Sequence, residues 1–232
     1  ELSQLTHLSL IGLQNMTEIS IIPIIEKYGN QLKSLRIGSC LQLTYQTLTQ
    51  IRRSCHQLEE LDISQLPDIS TDILLGLFLC PMLQKEESNI NLNDNNEVDN
   101  DGDDDGGDDD EVDTIIGKLH TLRLTGLQNV TDQVMHHIAA SCGNTLQHLG
   151  VSGCNKLTSR SAILLSCYCN QSLITLDLSF VRSICNKTMT YLVNHCLLLQ
   201  SLSIWGCTQL GNEFFTNHEN MDLLVIGNNR MY

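Results

Sequence analysis

The chain has 232 residues, 41% of them apolar but only 4% aromatic, with a formal charge of −14. A core built with so few rings must be filled by Leu and Ile in similar layers, which argues for a repetitive scaffold and against an irregular catalytic core. The charge is local, since residues 86–113 carry 14 of the 27 acidic groups and no Lys or Arg, leaving 13 acidic against 13 basic residues elsewhere; a uniformly acidic body is thereby excluded.

The first unit sets the pattern for the rest. Leu5, Leu8 and Leu10 form a Leu-x-x-Leu-x-Leu triplet that returns at Leu32-Leu35-Ile37, Leu58-Leu61-Ile63, Leu119-Leu122-Leu124, Leu146-Leu149-Val151, Leu173-Leu176-Leu178 and Leu199-Leu202-Ile204. Met221-Leu224-Ile226 reads as a shortened eighth. Where nothing is inserted, successive starts lie 26 or 27 residues apart, a period that marks a leucine-rich-repeat stack. Within each unit the apolar period changes from two to nearly four, from strand to helix. One helical face holds Ile21, Leu48, Leu74, Met135, Ala162 and Met189, and three residues later Ile24, Ile51, Leu77, Ile138, Leu165 and Leu192. Thr17, Thr44, Ser70, Thr131, Thr158, Asn186 and Asn212 precede this face and are expected to cap the helices. The fold class is therefore an α/β leucine-rich-repeat solenoid, with a parallel concave sheet and convex helices.

Between the third and fourth units the pattern is interrupted. Leu83 already stands where a triplet should begin, and Leu119 begins one again. The expected organisation is thus residues 1–83 as the first three repeats, 84–118 as an acidic insertion without order, and 119–232 as the remaining repeats. The stretch from Asn91 to Asp113 is nearly all Asn, Asp, Gly and Glu, which cannot bury enough surface to offset the entropy of ordering. It reads either as a solvated spacer or as a docking tail for a basic partner such as histones. Asp101, Asp103, Asp105 and Gly106 imitate the start of a calcium loop, but Val112 stands where a bidentate Glu is required.

Ten cysteines do not make a disulfide framework here, because the repeat accounts for most of them. Cys40, Cys154 and Cys207 share a column with Leu13, Leu66, Leu127 and Val181, while Cys55, Cys80, Cys142, Cys169 and Cys196 close the helices. Eight of the ten behave as small core residues, consistent with a reducing compartment, nucleus or cytoplasm. Asn-x-Ser/Thr sequons at Asn15, Asn129, Asn170 and Asn186 point the other way, but three of them lie in the turn where the repeat itself places Asn and Thr. Cys167-x-Cys169 with Cys154 lacks the paired Cys-x-x-Cys elements of a structural zinc site. No metal or cofactor is expected. There is no apolar run long enough for a bilayer and no signal-peptide pattern, so no membrane partner is expected either. The chain opens already inside its repeat pattern, as a fragment of a longer protein would.

Residues two, four and six places after the first Leu of each triplet should face outward from the concave sheet. They include His7, Arg36, Glu60, Asp62, Arg123, His148, Asp177 and Trp205, with Phe180 and Gly206 one place further on. The candidate partner-binding residues are Trp205, Phe180, Asp177, His148, Arg123, Asp62 and Arg36. Trp205, the only Trp, and Phe180 read either as an aromatic anchor or as a cover for the end of the core. A phosphate-cradling Gly loop, a Gly-x-Ser-x-Gly elbow and a His-Glu-x-x-His pair are all absent. His136-His137 and His195-Cys196 are neighbours on predicted helices, where adjacent side chains diverge by about 100°, so neither pair makes a site. A direct nucleic-acid ligand lacks a basic stripe or stacking platform, although the few basic concave groups leave it open.

The unit Leu119-His-Thr-Leu122-Arg-Leu124, Asn129-Val-Thr131-Asp132, Ser141-Cys142 resembles the cysteine-containing repeats of F-box-type substrate receptors. That resemblance implies a non-catalytic module holding a protein substrate on its concave face, joined to a cullin-based ubiquitin ligase by an adaptor-binding region upstream of these residues. A narrower likeness, carried by Leu176-Asp177-Leu178-Ser179-Phe180-Val181-Arg182-Ser183, Trp205-Gly206-Cys207-Thr208 and Leu224-Val225-Ile226-Gly227, is to the leucine-rich-repeat subunit of fungal global-genome nucleotide excision repair. It implies a nuclear address. A plain interaction scaffold or inhibitor without ligase coupling is the alternative.

Overall fold

The computed structural model describes residues 4–80, 83 and 117–227. Eight three-residue strands pair in chain order into one parallel sheet: β1 (His7–Ser9), β2 (Ser34–Arg36), β3 (Glu60–Asp62), β4 (Thr121–Arg123), β5 (His148–Gly150), β6 (Thr175–Asp177), β7 (Ser201–Ser203) and β8 (Leu224–Ile226). The chain returns through helices α1 (Glu18–Tyr28), α2 (Tyr45–Ser54), α3 (Thr71–Leu77), α4 (Asp132–Cys142), α5 (Ser159–Tyr168), α6 (Asn186–His195) and α7 (Asn212–Asn217). Each helix packs on the next. This is the α/β solenoid that the period predicts.

The register puts one inward column across the whole sheet: Leu8, Leu35, Leu61, Leu122, Leu149, Leu176, Leu202 and Val225. β3 pairs directly with β4, so the sheet runs unbroken past the point of insertion. Residues 84–116 of the acidic segment, with the calcium-like Asp cluster, lie outside the described residues. Gly117 and Lys118 belong to the turn into β4, where Lys118 Nζ donates to Gln57 Oε1 at 2.7 Å.

Three local expectations are corrected. The last triplet is out of frame: Leu224 lies opposite Ser201 and Val225 opposite Leu202, so Val225 faces the core while Leu224 and Ile226 face the concave side. A slip of one residue exchanges the two faces of a strand. In α1 the buried pair is Ile21 and Ile25, not Ile24. The last two caps are Cys185 and Gly211, which leaves Asn186 and Asn212 as the first helical residues.

That first helical position has a use the periodicity does not reveal. Its side chain reaches to the neighbouring unit and accepts the free N–H of the next helix cap. Glu18 Oε1 accepts from Thr44 N (2.6 Å), Asp132 Oδ1 from Thr158 N (2.9 Å), Ser159 Oγ from Cys185 N (3.4 Å) and Asn186 Oδ1 from Gly211 N (2.6 Å). Asp132 also accepts from the Thr158 and Ser161 hydroxyls. Burial alone would raise its pKa, but these donors outweigh it and hold the carboxyl below its ordinary 3.8. A depressed folded-state pKa means that the unfolded chain binds the proton first on acidification. The contribution is fully present above pH 3.8 and is lost as pH falls through the folded value. Asp132→Ala is expected to lower stability by about 1.5–3 kcal/mol at neutral pH, the range for hydrogen bonds to a charged group, and by less below the folded pKa. Urea unfolding as a function of pH checks this.

The cysteines lie where the columns predict, eight buried and Cys167 and Cys185 exposed, all ten as free thiols. The Sγ–H groups of Cys40, Cys154 and Cys207 each donate to a carbonyl of the preceding unit, those of Leu10, Leu124 and Leu178, at 3.0, 3.3 and 3.2 Å. A Leu in that column fills the same space without the bond. Burial pushes the thiols of Cys55, Cys154, Cys169 and Cys196 up to about 12, so they stay protonated and unreactive. At Cys185 the Thr188 hydroxyl and N–H lower the thiol instead. Alkylation of the native protein at neutral pH is expected to modify Cys185 and Cys167 rapidly, and the other eight only after unfolding. Mass spectrometry of the labelled protein decides this, and more than two rapidly labelled sites would contradict it.

Candidate functional site

The concave face divides into two electrostatic halves. On β2 to β4 opposite charges stand close together, although Arg36 Nε makes no hydrogen bond. Arg123 Nη1 donates to Glu60 Oε1 at 2.5 Å, Ser34 Oγ donates to Glu60 Oε2 at 2.8 Å, and Arg36 Nε lies 3.8 Å from Glu60 and 3.9 Å from Asp62. Burial would raise the Glu60 carboxyl, but Ser34, Arg123 and Arg36 bring it below its usual range. Asp62 faces this side but is only 5% exposed, and its Oδ1 accepts from Ser64 N at 3.0 Å. Its placement among open contact residues is therefore corrected to that of a local brace.

From β4 to β7 the face opens into a shallow trough of about 250 Å³, lined by Thr121, Arg123, His148, Gly150, Thr175 and Asp177 and closed by Ser201 and Ser203. His148 Nδ1 is 2.9 Å from Thr175 Oγ1. Gly150 supplies the depth, because it stands in register between Arg123 and Asp177 where other strands carry a side chain. A Cβ there would meet nothing closer than 3.6 Å, so its side chain is missing without any demand from the backbone. Asp177 repeats the bracing geometry of Asp62, with Oδ1 accepting from Ser179 N at 2.9 Å, but it is half-buried and lines the trough.

Beyond the trough lies an apolar shelf. Phe180 is 49% exposed, Trp205 45%, Leu224 61% and Ile226 37%. Seven places after the first Leu, every unit from Gly12 to Gly206 turns through a left-handed residue: Gly12, Ser39, Gln65, Gly126, Gly153, Phe180 and Gly206. Phe180 holds φ 63°, where a large side chain costs about 1–2 kcal/mol relative to glycine. Its ring lies over Gly206, and Trp205 lies over Gly227; a Cβ on either glycine would come within 2.6 Å of the aromatic residue. Trp205 N–H donates to Ser179 Oγ at 3.2 Å, which ties the shelf to the Asp177 turn. Among the described residues the two rings do not stack on each other. They form successive steps, each backed by a glycine.

Sequence reasoning thus placed Trp205, Phe180, Asp177, His148 and Arg123 on one face, and the structure brings the last three into one trough. It did not find Gly150, the Ser and Thr lining, or the concave exposure of Leu224 and Ile226. The other pairs noted in the sequence separate in space. His136 points to the Tyr168 hydroxyl at 3.2 Å while His137 is buried and accepts from Cys80 N at 3.2 Å. His195 stacks on Tyr191 at 3.8 Å while Cys196 is buried. Among the described residues no group of three His, Cys, Asp or Glu side chains is placed to hold a metal ion, and no helix is long and apolar enough to cross a membrane.

No protein-family model matches the chain. In sequence it is similar to the DNA repair protein rhp7 of Schizosaccharomyces pombe, 27% identical over 218 residues, which covers 91% of this chain but 37% of that protein. In structure it is similar to a chain in the crystal structure of the Rad7 and Elc1 complex in yeast, with a TM-score of 0.63 and 17% identity over 97% of this chain and 56% of that one. A leucine-rich-repeat protein of Legionella pneumophila, LegL7, is similar at a TM-score of 0.46 and 13% identity, covering 87% of this chain and 56% of that one. The chain is a cysteine-containing leucine-rich-repeat solenoid with a DNA repair protein as its sequence relative, in keeping with the resemblance carried by its repeat and C-terminal motifs.

Proposed function

We propose that this chain is the recognition solenoid of a repair-associated, cullin-based ubiquitin ligase, and that it holds a partner protein in the concave trough without catalysing a reaction itself. The observation that carries the reading is the trough of β4 to β7 with its apolar shelf, on a chain whose sequence relative is a DNA repair protein. A concave patch that joins a polar floor to an exposed Trp matches the anatomy of a protein-binding hot spot. Phosphate binding on the concave face is disfavoured, because Arg123 donates to Glu60 and Arg36 lies 3.8 Å from Glu60 and 3.9 Å from Asp62, so the two described arginines of that face stand beside carboxylates.

The yeast structure pairs Rad7 with Elc1, and we assign an equivalent adaptor contact to a region of the full-length protein outside these residues. A nuclear location follows from a repair role. We assign the acidic segment, residues 84–118, to chromatin proteins such as histones, on the strength of the 14 carboxylates and absence of Lys and Arg over residues 86–113. The full-length protein, purified from cells under native conditions, is expected to bring down a counterpart of Elc1 together with a cullin. Recovery of a stable binary complex with no cullin would instead identify a scaffold or inhibitor without ligase coupling.

A further inference from the structure

The charges of the concave face do not balance evenly along the stack. On β2 to β4, two cations, Arg36 and Arg123, meet two carboxylates, Glu60 and Asp62. On β5 to β8 the outward residues are His148, Gly150, Thr175, Asp177, Ser201, Ser203, Leu224 and Ile226. Asp177 is their only carboxylate, and it makes no salt bridge among the described residues. One of its oxygens takes the Ser179 N–H, while the carboxylate as a whole lines the trough. The apolar Ile226 stands in register two strands away, and Trp205 is tied to the same turn through Ser179, whose Oγ accepts from Trp205 N and whose N–H donates to Asp177.

We propose that the partner inserts a basic side chain, Lys or Arg, onto Asp177 and lays an apolar side chain on the shelf of Trp205, Leu224 and Ile226. The inference rests on the reading of the concave face as the partner's seat and specifies what that seat selects. A phosphate or an acidic segment would be repelled by Asp177. A purely apolar segment would strip water from the carboxylate and return nothing to it. A cation answers the charge, and the apolar wall strengthens the attraction by excluding water; an arginine gains further from the face of an indole. Two strand spacings separate Asp177 from Ile226, roughly 10 Å. A segment in the polyproline II conformation advances about 3.1 Å per residue and returns every third side chain to the same face, so the basic and apolar residues stand three positions apart.

Trp205 is the only tryptophan, so its emission reports occupancy of the shelf. The probes are two Trp-free peptides in a Ser/Gly background, one with an Arg followed three positions later by a Leu, the other with Glu in place of the Arg. The Arg peptide is expected to change the emission saturably and more weakly as salt is raised. Its affinity should fall about tenfold in Asp177→Asn, which keeps the acceptor for Ser179 N–H and so preserves the turn. The Glu peptide should give no change. The proposal is overturned if the Arg peptide leaves the emission unaltered, if the Glu peptide acts as strongly, or if Asp177→Asn binds the Arg peptide as well as the parent does. A charge-blind response that Gly150→Leu abolishes would overturn this inference while leaving the concave seat itself in place.

Discussion

Replacing Leu122 by Ala is expected to destabilise the solenoid by about 2–5 kcal/mol, the range for a buried Leu whose cavity cannot collapse. Leu122 is fully buried at the centre of β4, between Leu61 and Leu149 in the inward column. Each unit buries its stripe only against its neighbours, so a defect at the centre weakens two interfaces, and one at an end weakens a single interface. Leu8 is only partly buried in the same column, so in this 232-residue chain Leu8→Ala should cost distinctly less. Urea unfolding followed by circular dichroism measures both. Equal losses at the two positions would contradict a stack stabilised by nearest-neighbour burial.

Filling the trough should abolish partner binding without harming the fold. Gly150 lies on a strand, its φ is not in the left-handed region, and a Cβ would meet Thr125 Oγ1 at 3.6 Å and Arg123 Cγ at 3.8 Å, ordinary contact distances. Gly150→Leu therefore adds volume over the floor between Arg123 and Asp177 at little internal strain. Its melting temperature should match the parent's closely, while affinity for a protein partner falls on the order of 100-fold, about 2.8 kcal/mol. Gly143→Leu is the contrasting control. There a Cβ would lie 2.4 Å from the Ala139 and Tyr168 carbonyl oxygens, and the fold itself should suffer. Titration calorimetry and thermal unfolding on both variants separate the two effects. Undiminished binding by Gly150→Leu would remove the trough from the account.

The repeat was legible wherever apolar and polar residues alternate. Leu35, Leu61 and Leu122 could face only one way, and the Cys columns betrayed themselves by exchanging with Leu and Val. In β8 the signal fails, because Leu223-Leu224-Val225-Ile226 is an unbroken apolar run and periodicity cannot choose its face. The caps of α6 and α7 were misplaced for a related reason. Asn186 and Asn212 are better capping residues than Cys185 and Gly211, yet the phase of the repeat overrides the local preference. The links from Asp132 and Glu18 to the next unit, the burial of Asp62 and the trough at Gly150 depend on what lies one repeat away. A column-by-column reading sees such neighbours only after the register is fixed. Phe180 did leave a trace, since it occupies a column where four units carry Gly. A large side chain stands there in a turn that favours glycine, with its ring over Gly206.

Site-directed photocrosslinking tests the central claim most directly. A photoreactive amino acid is placed at Ser201 in the trough, and in a second protein at Arg160 on α5, on the side away from the sheet. Each full-length protein is irradiated with its native complex assembled. The account predicts a crosslink to a partner protein from position 201, lost when Gly150→Leu is added, and none to that partner from position 160. Crosslinking from position 160 alone would place recognition on the helical face and contradict the account.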